Sequence, residues 1–155
     1  MLDKKMVCLE SLLPADKILI LEGNPSKTDV ISQLAQLVCE GVPSLDQAEV
    51  FTQILKREES LSTTLDTGLS IPHARMEELS QIKAALALLP QGIKDPSKPV
   101  MIKAMFLFLS PAQPAFFQQH LQLLAALAET FKADFVADLA QCHTPQQATE
   151  KFIKK

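Results

Sequence analysis

Apolar positions recur at two different periods along this chain, and the switches between them mark out its elements. Ile18-Leu19-Ile20-Leu21 is a short apolar run closed by Gly23-Asn24-Pro25, the pattern of a buried strand. Val30, Ile31, Leu34, Leu37 and Val38 then follow at helical spacing. Ser26 stands at the N-cap of that helix with Asp29 three residues on, and Gly41 with Pro43 ends it. Ser44 opens the pattern again, with Gln47 completing a capping box. Leu45, Ala48, Phe51, Ile54 and Leu55 predict the buried stripe of a second helix. Two later apolar runs predict strands: Ala84–Leu89, closed by a turn at Pro90-Gln91-Gly92, and Met101–Leu109, stopped by Ser110-Pro111. The alanines pull the first of these towards helix. Phe117, His120, Leu121, Leu124, Leu127, Ala128 and Phe131 trace a third helical stripe. Phe135, Val136 and Leu139 trace a short fourth, and Thr144 caps a terminal helix with Pro145 at its first position. Helices and strands intermix without repeats or linkers, so residues 1–155 read as one α/β domain, a sheet with helices packed on it.

Composition narrows the function classes. Of the 155 residues, 47% are hydrophobic and 21% charged, with a formal net charge of -3, which argues against general affinity for nucleic acid or anionic membrane. Cys8, Cys39 and Cys142 lie far apart in no metal or redox spacing, and read as reduced thiols used for packing. Glu10, Pro14 and Asp16 interrupt any export signal behind Lys4 and Lys5. Val100–Leu109 contains Lys103 and is too short to cross a bilayer of about 30 Å as a helix. A soluble, cytoplasmic protein without cofactor or metal is expected.

The chemistry concentrates between Arg57 and Arg75. Ser60 to Ser70 is rich in hydroxyls and lacks helical period, which predicts strand fragments joined by a tight turn at Asp66-Thr67-Gly68. Pro72 then fixes the backbone just ahead of His73. A neutral imidazole is a nucleophile near neutral pH, and phosphorus is among its electrophiles. Phosphoryl transfer needs positioning and stabilisation of charge on the phosphoryl oxygens, a task for which arginine's planar fork is suited. Spacing alone favours reading His73 as a loop histidine hydrogen-bonded to its neighbours. Arg57-Glu58-Glu59 is likewise readable as the solvated end of a helix, and Arg75 as a surface residue.

Arg57-Glu58, Ser62-Thr63, Gly68 and Ile71-Pro72-His73-Ala74, taken together, resemble the active-site signature of the enzyme IIA domains of the mannitol/fructose class. These domains belong to the bacterial phosphoenolpyruvate-dependent sugar phosphotransferase system. A second motif, a strand ending in proline followed by His-Leu-x-x-Leu, reads Phe106–Pro111 and then His120 to Leu124. The resemblance implies a mixed β-sheet flanked by helices. It implies that His73 accepts a phosphoryl group from the phosphohistidine of HPr or its nitrogen-branch relative, with Arg57 neutralising the phosphoryl oxygens. His120 would be the second active-site histidine, and Ser62 and Thr63 would line the phosphate pocket.

Three roles remain open. A regulatory member of the nitrogen branch would bind a target protein according to its phosphorylation state, and a chain without fused domains leans that way. A sugar-specific member would pass the group to an EIIB domain. A pure binding module would have kept the fold and lost transfer. The last is motivated by a departure from the signature: the turn keeps one glycine, Gly68, and adds the charge of Asp66 near a site for an anion. A Ser-His-Asp hydrolase using Ser62 or Ser70 lacks the Gly-x-Ser-x-Gly elbow.

Overall fold

The computed structural model describes residues 9–154; Cys8 and the Lys4-Lys5 pair lie outside them. Five strands form one mixed sheet: β1 (Ile18–Ile20), β2 (Leu69–Ser70), β3 (His73–Met76), β4 (Lys83–Lys94) and β5 (Met101–Pro111). β4 and β5 pair antiparallel at the centre, β1 lies parallel to β4, and β2 and β3 both lie parallel to β5 on its other side. Helices α1 (Leu9–Leu12), α2 (Lys27–Cys39), α3 (Gln47–Ser60), α4 (Phe117–Thr130), α5 (Ala133–Leu139) and α6 (Pro145–Lys154) cover both faces.

Alternation along the central strands divides the core in two. Ala84, Leu86 and Leu88 of β4, with Ala104, Phe106 and Phe108 of β5, face a layer built from α4, α5 and α6. Ala85, Ala87 and Leu89, with Met105, Leu107 and Leu109, face α2 and α3. A sheet buried on both faces needs apolar residues at every position, which is why β4 and β5 read as continuous apolar runs. The same burial outweighs the helical preference of the alanines in β4.

Two expectations are corrected here. The second helix starts at Gln47, not at Ser44: Asp46 is its cap, its carboxylate accepting from Ala48 N–H at 3.0 Å, while the Ser44 hydroxyl donates to the Glu78 carbonyl. Pro90-Gln91-Gly92 is not a turn. β4 runs on to Lys94 through a register shift between Leu88 and Ile93, and the hairpin closes where Asp95 N–H meets the Val100 carbonyl at 3.2 Å. A proline and a glycine in succession mark a bulge as readily as a turn. The caps at Ser26 and Thr144 form as expected, and β5 continues through Ser110 and Pro111 because β3 pairs with them.

Candidate functional site

His73 is the first residue of β3, and the register places it opposite Phe108 of β5. The pleat therefore sends both side chains to the α4 face, where the rings stack at 5.0 Å with planes 4° apart. Two residues further, Arg75 pairs with Ser110 on the same face. α4 then brings His120 over this surface, its ring centroid 5.2 Å from that of His73. The Ser110 hydroxyl lies 2.6 Å from His120 Nδ1, and Phe117, one helical turn back, stacks on the outer side of His120.

His73 is only 5% exposed, and its Nδ1 lies 2.7 Å from the Ile71 carbonyl oxygen. A carbonyl can only accept, so Nδ1 carries the proton and Nε2 of the neutral ring keeps its lone pair. Burial lowers the His73 pKa below the ordinary histidine range. The Ile71 hydrogen bond opposes this, the Arg57 charge adds to it, and the Glu58 charge opposes it again. His120 is pushed down to about 4, chiefly by burial and then by the charges of His73, Arg75 and Arg57. Both rings are thus neutral at pH 7.

Arg57 and Glu58 are adjacent in sequence and diverge in space. Arg57 is exposed on the last turn of α3, within electrostatic reach of both histidines. Glu58 is buried, and pairs with Lys27 at 2.9 Å. Lys27 also pairs with Asp95 at 3.0 Å, so one buried ammonium holds two carboxylates from different elements. The hydroxyls of the polar loop complete this cluster. Ser62 and Thr64 donate to Asp95, and Thr63 donates to Glu58 at 2.8 Å. Burial acts to raise the Asp95 pKa, but the hydrogen bonds from Thr64, Ser97, Lys27 and Ser62 prevail and hold its carboxyl well below the usual range.

The structure thus brings His73 and His120 together, leaves Arg57 exposed within electrostatic reach of both, and engages the Ser62 and Thr63 hydroxyls with carboxylates. The turn forms as expected, with Gly68 N–H donating to the Leu65 carbonyl. Gly68 has φ +97°, and a Cβ there would meet the Met101 carbonyl oxygen at 3.3 Å, so the one glycine retained is the one the backbone requires. Asp66 is exposed.

Sequence reasoning passed over Lys27, Asp95, Ser110 and Phe108. Lys27 carried a signal: a lysine in the first turn of a helix opposes the macrodipole, and its burial needs anionic partners. Arg75 is not a surface residue. Its guanidinium donates to the carbonyls of Pro111, Ala112 and Gln113 and lies 5.2 Å above the Phe117 ring, strapping the segment that leads into α4.

Two neighbouring histidines, one with a defined free nitrogen, and a nearby arginine are the parts the signature implied, and whole-chain comparison places them in a family. The family model described as "Phosphoenolpyruvate-dependent sugar phosphotransferase system, EIIA 2" matches residues 11–155. The chain belongs to this EIIA family. A nitrogen regulatory protein of Pseudomonas aeruginosa is 32% identical over 149 residues, covering 96% of each chain. A fructose-specific EIIA component of Haloferax volcanii is 28% identical over 131 residues, covering 84% of each. The crystal structure of the nitrogen regulatory protein IIA-Ntr from Neisseria meningitidis superposes with TM-score 0.79 at 24% identity, covering 93% of this chain and 98% of that one. The mannitol IIA structure from Escherichia coli gives TM-score 0.74 at 16% identity over 90% of this chain and 98% of its own, which attests the shared fold. Among the described residues no helix is long and apolar enough to cross a membrane.

Proposed function

We propose that this EIIA protein carries a phosphoryl group on Nε2 of His73, received from the phosphohistidine of an HPr-type carrier protein in the cytoplasm. The observation that supports this most directly is the 2.7 Å contact between His73 Nδ1 and the Ile71 carbonyl, which aims a lone pair from a neutral, buried ring at the space beside His120. In the transfer, the Nε2 lone pair forms a bond to phosphorus. The donor's N–P bond breaks and its electron pair returns to the donor ring. The His73 ring gains positive charge as its bond forms, and the carbonyl already facing Nδ1–H stabilises that charge.

Arg57 offsets the charge on the phosphoryl oxygens from the solvent side. A Ser110 hydroxyl that donates to His120 Nδ1 across their 2.6 Å contact puts the ring proton on Nε2, from which it donates to a phosphoryl oxygen. Ser62 and Thr63 line the pocket from the α3 side, braced by Asp95 and Glu58. The role in the cell is regulatory: a target protein distinguishes the two states of His73 by charge. The nitrogen regulatory relative that matches over 96% of both chains supports this role, and the fructose-specific relative supports onward transfer to an EIIB domain as the second reading.

The test is to incubate the protein with phosphoenolpyruvate, enzyme I and an HPr-type carrier, and to record its intact mass under alkaline conditions. Gain of one phosphoryl group, lost in His73→Ala, is expected. No gain while a known EIIA domain is phosphorylated in the same mixture would leave a binding module instead. Rapid discharge onto an EIIB domain would favour the sugar-transport role over the regulatory one.

A further inference from the structure

His73 Nδ1 is held by a main-chain carbonyl, and that carbonyl belongs to a residue which is itself held from the other side. Ile71 N–H donates to Thr63 Oγ1 at 3.2 Å. Thr63 Oγ1 in turn lies 2.8 Å from Glu58 Oε1 and 3.1 Å from Oε2, while Thr63 N–H donates to Oε2 at 2.8 Å. A hydroxyl has one proton. The carboxylate can only accept, so that proton goes to Glu58, and the hydroxyl's lone pair is what faces Ile71 N–H. Every direction in the series is therefore dictated by the charge at its far end. Glu58 is buried, and Lys27 stands 2.9 Å away as its counter-charge.

We propose that Glu58 and Thr63 are positioning residues that set the tautomer of His73, acting through the main chain of Ile71. Thr63 fixes Ile71 on its amide side, and Pro72 restricts it on its carbonyl side to extended backbone. Pro72 is itself anchored, its carbonyl accepting from Phe108 N–H at 3.1 Å. Between these two constraints the Ile71 carbonyl is aimed at Nδ1. A neutral imidazole can carry its proton on either nitrogen, and only a fixed acceptor at Nδ1 keeps Nε2 unprotonated at all times. The consequence for transfer rests on His73 being the phosphoryl acceptor; the consequence for the tautomer does not.

The experiment uses uniformly 15N-labelled full-length protein that has met no phosphoryl donor, at a pH above the His73 transition. Two-bond proton–nitrogen correlations then report which ring nitrogen is protonated. The wild type is expected to hold His73 in the Nδ1–H form. Thr63→Val, which keeps the shape and removes the hydroxyl, is expected to mix the tautomers and to slow phosphoryl transfer about tenfold or more. Thr63→Ser restores both, and Glu58→Gln acts in the same direction as Thr63→Val, so the series stands if the valine variant does not fold. A pure Nδ1–H form in both Thr63→Val and Glu58→Gln, or in Glu58→Gln alone if the valine variant is unfolded, overturns the proposal, whatever happens to their melting temperatures. A wild type that gains no phosphoryl group, with tautomers mixed in Thr63→Val or Glu58→Gln, refutes the carrier reading while supporting the relay.

Discussion

His73 sits between two regions that solve opposite problems. On the α2–α3 side, Lys27, Glu58 and Asp95 are buried charges joined to each other and to the hydroxyls of Ser62, Thr63 and Thr64. On the α4 side, Phe108, His120 and Phe117 form an aromatic wall around neutral rings. The charged region has its proton positions dictated, because acceptor-only carboxylates face donors throughout. The aromatic region leaves ring nitrogens available and keeps water from the imidazole by burial. Their separation teaches a division of labour: the ionic cluster braces the loop that precedes His73, and the aromatic wall holds the two rings proposed to handle the phosphoryl group.

The comparison breaks most visibly at Lys27. Lys27→Met leaves Glu58 and Asp95 buried without their shared cation, and a loss of about 4 kcal/mol is expected in urea denaturation at pH 7. Arg57 sharpens the contrast from the other direction. It is exposed, so Arg57→Ala should leave stability within about 0.5 kcal/mol of wild type. Its phosphorylation rate by the HPr-type carrier should fall about 100-fold, equivalent to about 2.7 kcal/mol of transition-state stabilisation, measured by rapid quench and alkaline mass analysis.

The pH dependence separates the two regions again. The His120 pKa of about 4 lies below the ordinary value near 6.5, so the unfolded chain binds its proton first as the pH falls. The stability contributed by the neutral ring is present above pH 6.5 and is lost progressively towards pH 4. Between pH 7 and 4.5 a decline of about 2 kcal/mol is expected, and His120→Gln should flatten it. The Asp95 carboxyl, held below the usual range, contributes stability that disappears only at more acid pH, below the unfolded carboxylate value near 4.

Much of this arrangement was legible beforehand, and the boundary of legibility has physical causes. The apolar runs of β5 and of the first half of β4, and the helical stripes of α2, α4 and α5, are local patterns, and they formed where periodicity placed them. The Ser44 and Pro90 expectations failed because Asp46 competed as a cap and because long-range pairing with β5 carried the strand through its bulge. At the site, His73 and His120 were found through their motifs, 47 positions apart, and the fold brings their ring centroids to 5.2 Å with the planes tilted by 59°. Asp95 and Ser110 carried no local signal, since a lone aspartate before a proline and a lone serine at a strand end are ordinary turn chemistry.

Taken by itself, the chain determined the α/β class, the helix caps at Ser26 and Thr144, the need for glycine at position 68 and a rigid proline before His73. All of these follow from backbone preferences and short-range spacing. Only the tertiary structure decided that Arg57 faces solvent while Glu58 is buried, that Lys27 bridges two carboxylates, and that Nδ1 rather than Nε2 of His73 bears the proton. Those outcomes depend on which distant groups become neighbours in a dry interior, where an unpaired charge or an unmet hydrogen bond is costly and proton positions follow the partners supplied by the fold.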